Sequence, residues 1–164
     1  MRRKDREILD IQEIEGILRR SQVCRVAFAA GDTPYIVPMS YGYERQGECF
    51  TLFFHCAGSG RRLDMMAQNP RVCFEMDGEC RLVPGLDGHP ERCTMTYESV
   101  VGWGTARLVT DGGAKKHALD RLMAHYGEAG HGDYPEAALR AVTVFEVAVT
   151  ECTGKRHAAG KTGA

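Results

Sequence analysis

The stretch that decides the fold is Phe53-Phe54-His55-Cys56-Ala57-Gly58-Ser59-Gly60-Arg61-Arg62-Leu63-Asp64. It leaves a β-prone run at residues 49–55, passes through a glycine-rich turn and opens a short helix that Asn69-Pro70 ends. A helix N-terminus carries partial positive charge, so two arginines in its first turn each cost roughly 0.3–1 kcal/mol unless an anion binds there. Free backbone N–H groups and two guanidinium groups would then bind a phosphate, whereas the alternative is that both arginines point into solvent.

The turn matches neither of the common phosphate-binding motifs. A Gly-x-x-x-x-Gly-Lys-Ser/Thr pattern is absent, and no third glycine follows Gly60 at the spacing of a dinucleotide fingerprint. His55 ends the strand immediately before the turn, where its ring would face a phosphate-bearing ligand. A histidine at a strand end is more often a hydrogen-bonded structural residue, and Cys56 lies directly beside it.

The pattern around this stretch predicts a mainly β protein. Asp10 followed three residues later by Glu13 predicts a capped first helix. A polar excursion separates the fourth predicted strand from the fifth, and Pro38 should break or bulge the second. Short turns without βαβ alternation favour an antiparallel, Greek-key-like barrel with peripheral helices over a doubly wound sheet. The predicted strands cover residues 25–29, 35–43, 49–55, 71–76, 94–109 and 142–150, and further helices cover 114–126 and 135–140.

Composition excludes several classes of protein. The 164 residues carry a formal net charge of −1, which lacks the strongly basic face that nucleic-acid binding needs. No apolar run approaches the ~18 residues of a membrane helix, and no apolar stretch follows the basic N-terminus as in a secretory signal. We therefore expect a cytoplasmic protein that binds neither membrane nor nucleic acid, with one domain over residues 1–157 and a mobile tail at 158–164.

The seven cysteines do not form a recognisable metal site. Their number is odd, no Cys-x-x-Cys pair occurs, and most of them lie inside apolar runs. Zinc ligands come in pairs two to four residues apart, and only His89 and Cys93 approach that spacing. We predict no metal, and reduced thiols that pack as small apolar groups in a reducing compartment.

Two further segments could contact a ligand. Pro38 in mid-strand leaves backbone groups out of the ladder, so the strand edge around it could bind a flat molecule. Taken alone, the segment is better explained as an ordinary edge strand or bulge. Trp103 is flanked by Gly102 and Gly104, which permit the close approach of another backbone or a ring. A plain core or interface position is the alternative for this tryptophan.

Taken together, these segments resemble the pyridoxamine 5′-phosphate oxidase-like split β-barrels. The stretch 53–72 is similar to the part of that family that binds the phosphate of flavin mononucleotide (FMN). Their order resembles the nitroimidazole-resistance branch of that family, and the likeness covers residues 1 to about 157. The segments that carry it are Met1-Arg2-Arg3-Lys4, Val37-Pro38-Met39-Ser40-Tyr41, Tyr97-x-Ser99-Val100, Gly102-x-Gly104-x-Ala106 and Thr153-Gly154-Lys155.

The resemblance implies a homodimer with FMN at the subunit interface and a set of cofactor-binding residues. Arg61 and Arg62 would hold the phosphate, and the segment from Val37 to Ser40 would follow the flavin ring. Lys155 or a nearby arginine could supply positive charge to the reduced flavin. The implied cofactor-binding residues are Val37, Pro38, Met39, Ser40, His55, Cys56, Ala57, Gly60, Arg61, Arg62, Ser99, Val100 and Trp103, the last three completing the site from the partner subunit.

The function that the resemblance implies is an FMN-dependent oxidoreductase, with a nitroreductase as its specific form. It would pass two electrons to a small electron-poor acceptor, and His55 would be the catalytic residue that protonates the reduced product. The chain lacks the C-terminal Trp and Arg elements of true pyridoxamine phosphate oxidases, so vitamin B6 synthesis is not expected. The alternatives are a flavin- or haem-binding carrier or sensor without turnover, and a deazaflavin-dependent reductase.

Overall fold

A computed structural model describes residues 3–85, 89–128 and 132–158. The strands in these ranges are β1 (Glu7–Ile8), β2 (Cys24–Ala29), β3 (Pro34–Met39), β4 (Gly42–Gln46), β5 (Cys49–Cys56), β6 (Arg71–Asp77), β7 (Arg81–Val83), β8 (Thr94–Val109) and β9 (Thr143–His157). The α-helices are α1 (Ile11–Arg20), α2 (Arg61–Gln68), α3 (Gly112–His125) and α4 (Glu136–Ala141), and short 3-10 helices cover Lys4–Arg6 and Pro90–Arg92.

The strands form one sheet with the order β3-β2-β6-β8-β9-β5-β4, to which β1 adds beside β9 and β7 beside β8. The ladders β2–β3, β2–β6, β4–β5 and β5–β9 are all antiparallel. The predicted mainly antiparallel architecture with peripheral helices is therefore confirmed. None of the helices in the described ranges is long and apolar enough to cross a membrane.

The chain divides into two compact units, and the larger one comprises residues 22–75 and 102–152. Its core contains Phe28, Phe54 and Phe145, with the last two rings stacked at 4.9 Å. Helix α3 packs against β4 so closely that a side chain at Gly42 would overlap the backbone of Arg121 and Leu122. This unit carries most of the predicted site residues.

The smaller unit combines residues 1–21, 76–101 and 153–164 as far as they are described. The predicted cap of α1 is present, because the Asp10 carboxylate accepts hydrogen bonds from the backbone N–H groups of Gln12 and Glu13, both at 2.9 Å. Glu98 on β8 accepts hydrogen bonds from both Arg20 on α1 and Arg156 on β9. The Arg20 hydrogen bond and then that of Arg156 lower the pKa of this carboxyl against the effect of burial.

The second predicted strand differs from the structure. The β2–β3 ladder runs unbroken from Ala29 opposite Pro34 to Cys24 opposite Met39, so Pro38 neither breaks nor bulges it. Because β3 is the terminal strand of the order, a proline can direct its missing N–H away from the ladder. The predicted strand 35–43 is instead divided at Ser40 and Tyr41, which lie between β3 and β4. Tyr41 is fully buried, and its N–H donates to the Tyr126 hydroxyl at 3.1 Å.

The end of the chain also differs from the prediction. The last strand does not stop at residue 150, because β9 continues to His157 and pairs Lys155 and Gly154 with β1. The polar excursion contains β7, which pairs antiparallel with the start of β8. Of the predicted tail at 158–164, residues 159–164 lie outside the described residues.

Candidate functional site

The turn between β5 and α2 opens a helix whose first backbone N–H groups are free of the helix itself. Gly60 is the N-cap residue and has no side chain to cap with, and its φ of +135° is a conformation that favours glycine. Its carbonyl accepts from the N–H of Leu63 at 2.9 Å and of Asp64 at 3.3 Å. The N–H groups of Arg61 and Arg62, which precede Leu63 in the first turn, have no partner within the helix.

The two arginines that follow are held against β3 without being neutralised. The Arg62 Nη1 atom lies 3.5 Å from Sδ of Met39, and the Arg61 guanidinium carbon lies 4.8 Å from the centre of the Tyr35 ring. Neither guanidinium forms an ion pair with any residue in the described ranges. Two positive charges therefore remain available beside a helix N-terminus, which is the arrangement that binds a phosphate.

The two residues that end β5 point to different environments. The Cys56 side chain is buried, and burial raises the pKa of its thiol while the nearby Arg62 acts in the opposite direction. The thiol is therefore protonated at neutral pH and acts as a small packing group. His55 is exposed and lies opposite Val144 in the β5–β9 ladder. The residues after it, Ala57 to Gly60, are exposed as well.

In the segment 37–40, only the backbone groups that point away from β2 are available to a ligand. Val37 and Met39 point to the same side as the buried Cys24 and Val26 of β2, whereas Pro38 is exposed on the other side. Pro38 cannot donate to β2, so its pair with Arg25 falls at a position without exchanged hydrogen bonds. The outward-facing backbone groups of β3 are then those of Ile36 and Pro38, with Ser40 exposed just beyond the strand.

The three site residues predicted on β8 have different environments. Ser99 is half-buried and Val100 fully buried, and both belong to the smaller unit. Trp103 belongs to the larger unit, is 43% exposed, and lines a groove that contains none of the other predicted site residues. Within one chain the structure brings Met39, Cys56 and the arginines together, and Trp103, which is predicted to act from the partner subunit, lies apart from them.

The histidine, cysteine and carboxylate side chains of the described ranges are not clustered. In the ranges that the structure describes, no three His, Cys, Asp or Glu side chains are grouped as metal ligands. All seven cysteines are free thiols, and three of them, Cys49, Cys80 and Cys93, are exposed.

Comparison with known proteins decides the family. A family model described as pyridoxamine 5′-phosphate oxidase matches residues 10–156. The chain belongs to this family. The resemblance stated from the sequence is therefore confirmed.

Solved structures agree with the pyridoxamine 5′-phosphate oxidase assignment. A candidate 5-nitroimidazole antibiotic resistance protein from Bacteroides thetaiotaomicron VPI-5482 is 32% identical, with 92% of this chain and 86% of that chain covered and a TM-score of 0.80. An FAD and haem binding protein from Mycobacterium smegmatis is 16% identical, with 97% and 77% covered and a TM-score of 0.79, which shows a shared fold. The predicted fold class, a split β-barrel with peripheral helices, is confirmed, as is the likeness to the nitroimidazole-resistance branch.

A curated relative adds little to the assignment. An uncharacterised protein from Rhizobium meliloti (strain 1021) is 27% identical over 70 residues, which are 42% of this chain and 42% of that protein. The match thus spans about two fifths of the relative's length.

One residue beside the two arginines, Tyr35, was not predicted as part of the site. Tyr35 supports Arg61, and the available signal was its position two residues before Val37, on the same face of β3. An aromatic ring below a guanidinium fixes the direction of the charge without neutralising it. Tyr35 therefore positions Arg61 rather than competing with an anion for it.

Proposed function

We propose that this chain binds FMN at the β5–α2 turn and acts as a flavin-dependent oxidoreductase on a small electron-poor acceptor, with nitro compounds as the acceptor class. The observation that carries the proposal is the pair of arginines without ion-pair partners at the open N-terminus of α2. Membership in the pyridoxamine 5′-phosphate oxidase family, and likeness to a protein named for 5-nitroimidazole resistance, support the cofactor and the acceptor.

The residues present fit a flavin phosphate. Free N–H groups of Arg61 and Arg62, both guanidinium groups and the exposed Ser59 hydroxyl can surround its oxygens. Nothing lies within 4 Å of the position that a Cβ of Gly60 would take, so the turn leaves room on its outer side. We assign the phosphate of FMN to this turn, with the Ala57 to Gly60 backbone supporting it.

The flavin ring is assigned to the edge of β3. The outward carbonyl groups near Pro38 and the exposed Ser40 hydroxyl can hydrogen-bond to a planar ring that continues from the phosphate. We propose that two copies of the chain form a homodimer and that Ser99 and Val100 complete the site of the partner subunit. Lys155, whose Nζ lies 5.4 Å from the centre of the Tyr97 ring, is the proposed source of positive charge.

These assignments give the flavin and the protein separate roles. A bound flavin would supply two-electron transfer to the acceptor. The protein binds the phosphate, orients the ring along β3 and leaves the exposed His55 free to give a proton to the reduced product.

Replacing His55 by alanine is expected to lower turnover by roughly 10²-fold, the lower end of what a positioned proton donor contributes. Flavin content should remain unchanged, because His55 does not hold the phosphate. Steady-state nitroreduction together with flavin absorbance separates the two effects. Unchanged turnover in a flavin-loaded variant would show that His55 is not the proton donor.

The absorption spectrum of the freshly purified protein tests the cofactor. We expect the flavin bands of the near ultraviolet and the blue, and chromatography of the heat-released cofactor should identify FMN. A Soret band instead would favour a haem-binding role, for which a FAD and haem binding protein of the same fold is the precedent. A colourless protein that does not bind added FMN would contradict the proposal. If that protein bound a deazaflavin instead, the function would be that of a deazaflavin-dependent reductase.

A further inference from the structure

A groove on the outer face of the sheet is not used by the proposed flavin site. It has a volume of about 580 Å³ and lies within the larger unit, over β2, β6, β8 and β9. Volumes of about 300–1,000 Å³ are typical of small-molecule sites. Asn69 on its rim follows the C-terminal end of α2, whereas Arg61 and Arg62 begin that helix, about 12 Å away at 1.5 Å per residue.

One wall of the groove is an indole ring on a fixed backbone. Trp103 projects outward because Gly102 and Gly104 project inward, where a Cβ would meet the Phe74 ring or lie 2.5 Å from the Ala148 carbonyl oxygen. Thr150 donates its hydroxyl to the Trp103 carbonyl at 3.2 Å. The backbone of Trp103 is thereby anchored, while 43% of the residue remains exposed. A large planar surface held in this way is suited to stack on another flat molecule.

The same face carries an arginine, Arg71, whose side chain bonds to no described residue. Arg71 directly precedes Val72, which pairs with Phe28 in the β2–β6 ladder, and it is exposed. The other arginines on this face differ, since Arg25 pairs with Glu75 at 3.0 Å and Arg107 with Glu146 at 2.6 Å. An unbalanced positive charge beside an apolar surface selects an anion.

Hydrogen bonds hold the rim of the groove near Arg71, and a small side chain lines its floor. The Asn69 side chain donates to the Ala29 carbonyl at 2.8 Å and accepts from the Arg71 N–H at 3.1 Å, which fixes the start of β6. Ala27 contributes only a methyl group to the floor, which leaves room for a flat ring. The groove therefore combines a stacking surface, a free cation and space of one ring's thickness.

We propose that this groove binds a small planar aromatic carboxylate, with the ring stacked on Trp103 and the carboxylate paired with Arg71. A carboxylate matches the two parallel N–H donors of a guanidinium fork, which gives the site its charge selectivity. The site is independent of the phosphate-binding turn and does not require the proposed flavin.

Trp103 is the sole tryptophan of the chain, so its fluorescence reports directly on this groove. Titration of the protein with 4-nitrobenzoate should quench the emission to saturation, and isothermal calorimetry of the same titration should give the same affinity. Uncharged nitrobenzene should bind at least about tenfold more weakly, because it lacks the charge-assisted hydrogen bonds to Arg71. Quenching that stays linear, as in random collision, would overturn the proposal.

Matched variants distinguish the groove from other anion sites. Arg71→Ala should weaken 4-nitrobenzoate at least about tenfold, whereas Arg107→Ala, on the same face but paired with Glu146, should not. Equal losses in both variants would indicate general charge attraction and refute the site. Loss of binding in the Arg61→Ala/Arg62→Ala double variant would place the anion at the phosphate turn instead. Trp103 emission that iodide cannot quench would show that the indole is closed to solvent, which would also overturn the proposal.

Discussion

Replacing Arg61 and Arg62 together by alanine is expected to lower the affinity for FMN by about 10²–10⁴-fold. Each hydrogen bond to a charged group contributes about 1.5–3 kcal/mol, so two lost guanidinium contacts amount to about 3–6 kcal/mol, at about 1.4 kcal/mol per tenfold. Neither side chain pairs with a carboxylate in the part of the chain that the structure describes, so their removal should leave the fold intact. Quenching of FMN fluorescence during titration measures the affinity directly.

Two comparisons make this result specific to the phosphate. Riboflavin, which lacks the phosphate, should bind the wild-type and double-variant proteins almost equally. Arg140→Ala removes an exposed arginine that pairs with Glu136 on α4, and it should leave FMN affinity unchanged. A folded double variant that retains wild-type FMN affinity would refute the assignment of the phosphate to the β5–α2 turn.

Gly42→Ala is expected to be the most damaging single substitution for the fold. Its Cβ would overlap the α3 backbone at Leu122 N and lie 2.6 Å from the Arg121 carbonyl oxygen, and neither atom can move without shifting the helix. Overpacking of this kind costs about 3 kcal/mol, at the upper end of its usual range. For a chain of this length we expect Tm to fall by about 6–12 °C. Differential scanning calorimetry gives that value.

Gly112→Ala provides the matched control, because nothing lies within 4 Å of the Cβ it would add at the start of α3. Alanine is the better helix former, so this change should be neutral or stabilise by up to about 1 kcal/mol. If Gly42→Ala unfolded at the same temperature as Gly112→Ala, the close packing of α3 on β4 would be wrong.

Local signals predicted much of the architecture. The Asp10 cap, the helix that follows Gly60 and the extent of β8 are all set by residues within a few positions of one another, which is why spacing alone indicates them. Gly102 and Gly104 were predicted to allow close approach, and the structure shows a ring against one and a backbone against the other.

Features that depend on distant partners could not be predicted in the same way. The place of Pro38 in an unbroken ladder depends on β3 being the terminal strand, which is a property of the whole sheet. The break at Tyr41 depends on the Tyr126 hydroxyl, 85 residues further on. Tyr35 under Arg61 and the free Arg71 beside Trp103 likewise follow from tertiary placement, so the sequence pointed to the arginine pair but not to what supports it.

The smaller unit is assembled from both ends of the chain and a middle segment, and β1 finds its partner only at Lys155 and Gly154 in β9. During synthesis β1 can pair only after Gly154 and Lys155 have left the ribosome, long after Glu7 and Ile8. Contacts so far apart in sequence slow folding, and we expect a variant truncated before Gly154 to leave β1 without its strand partner.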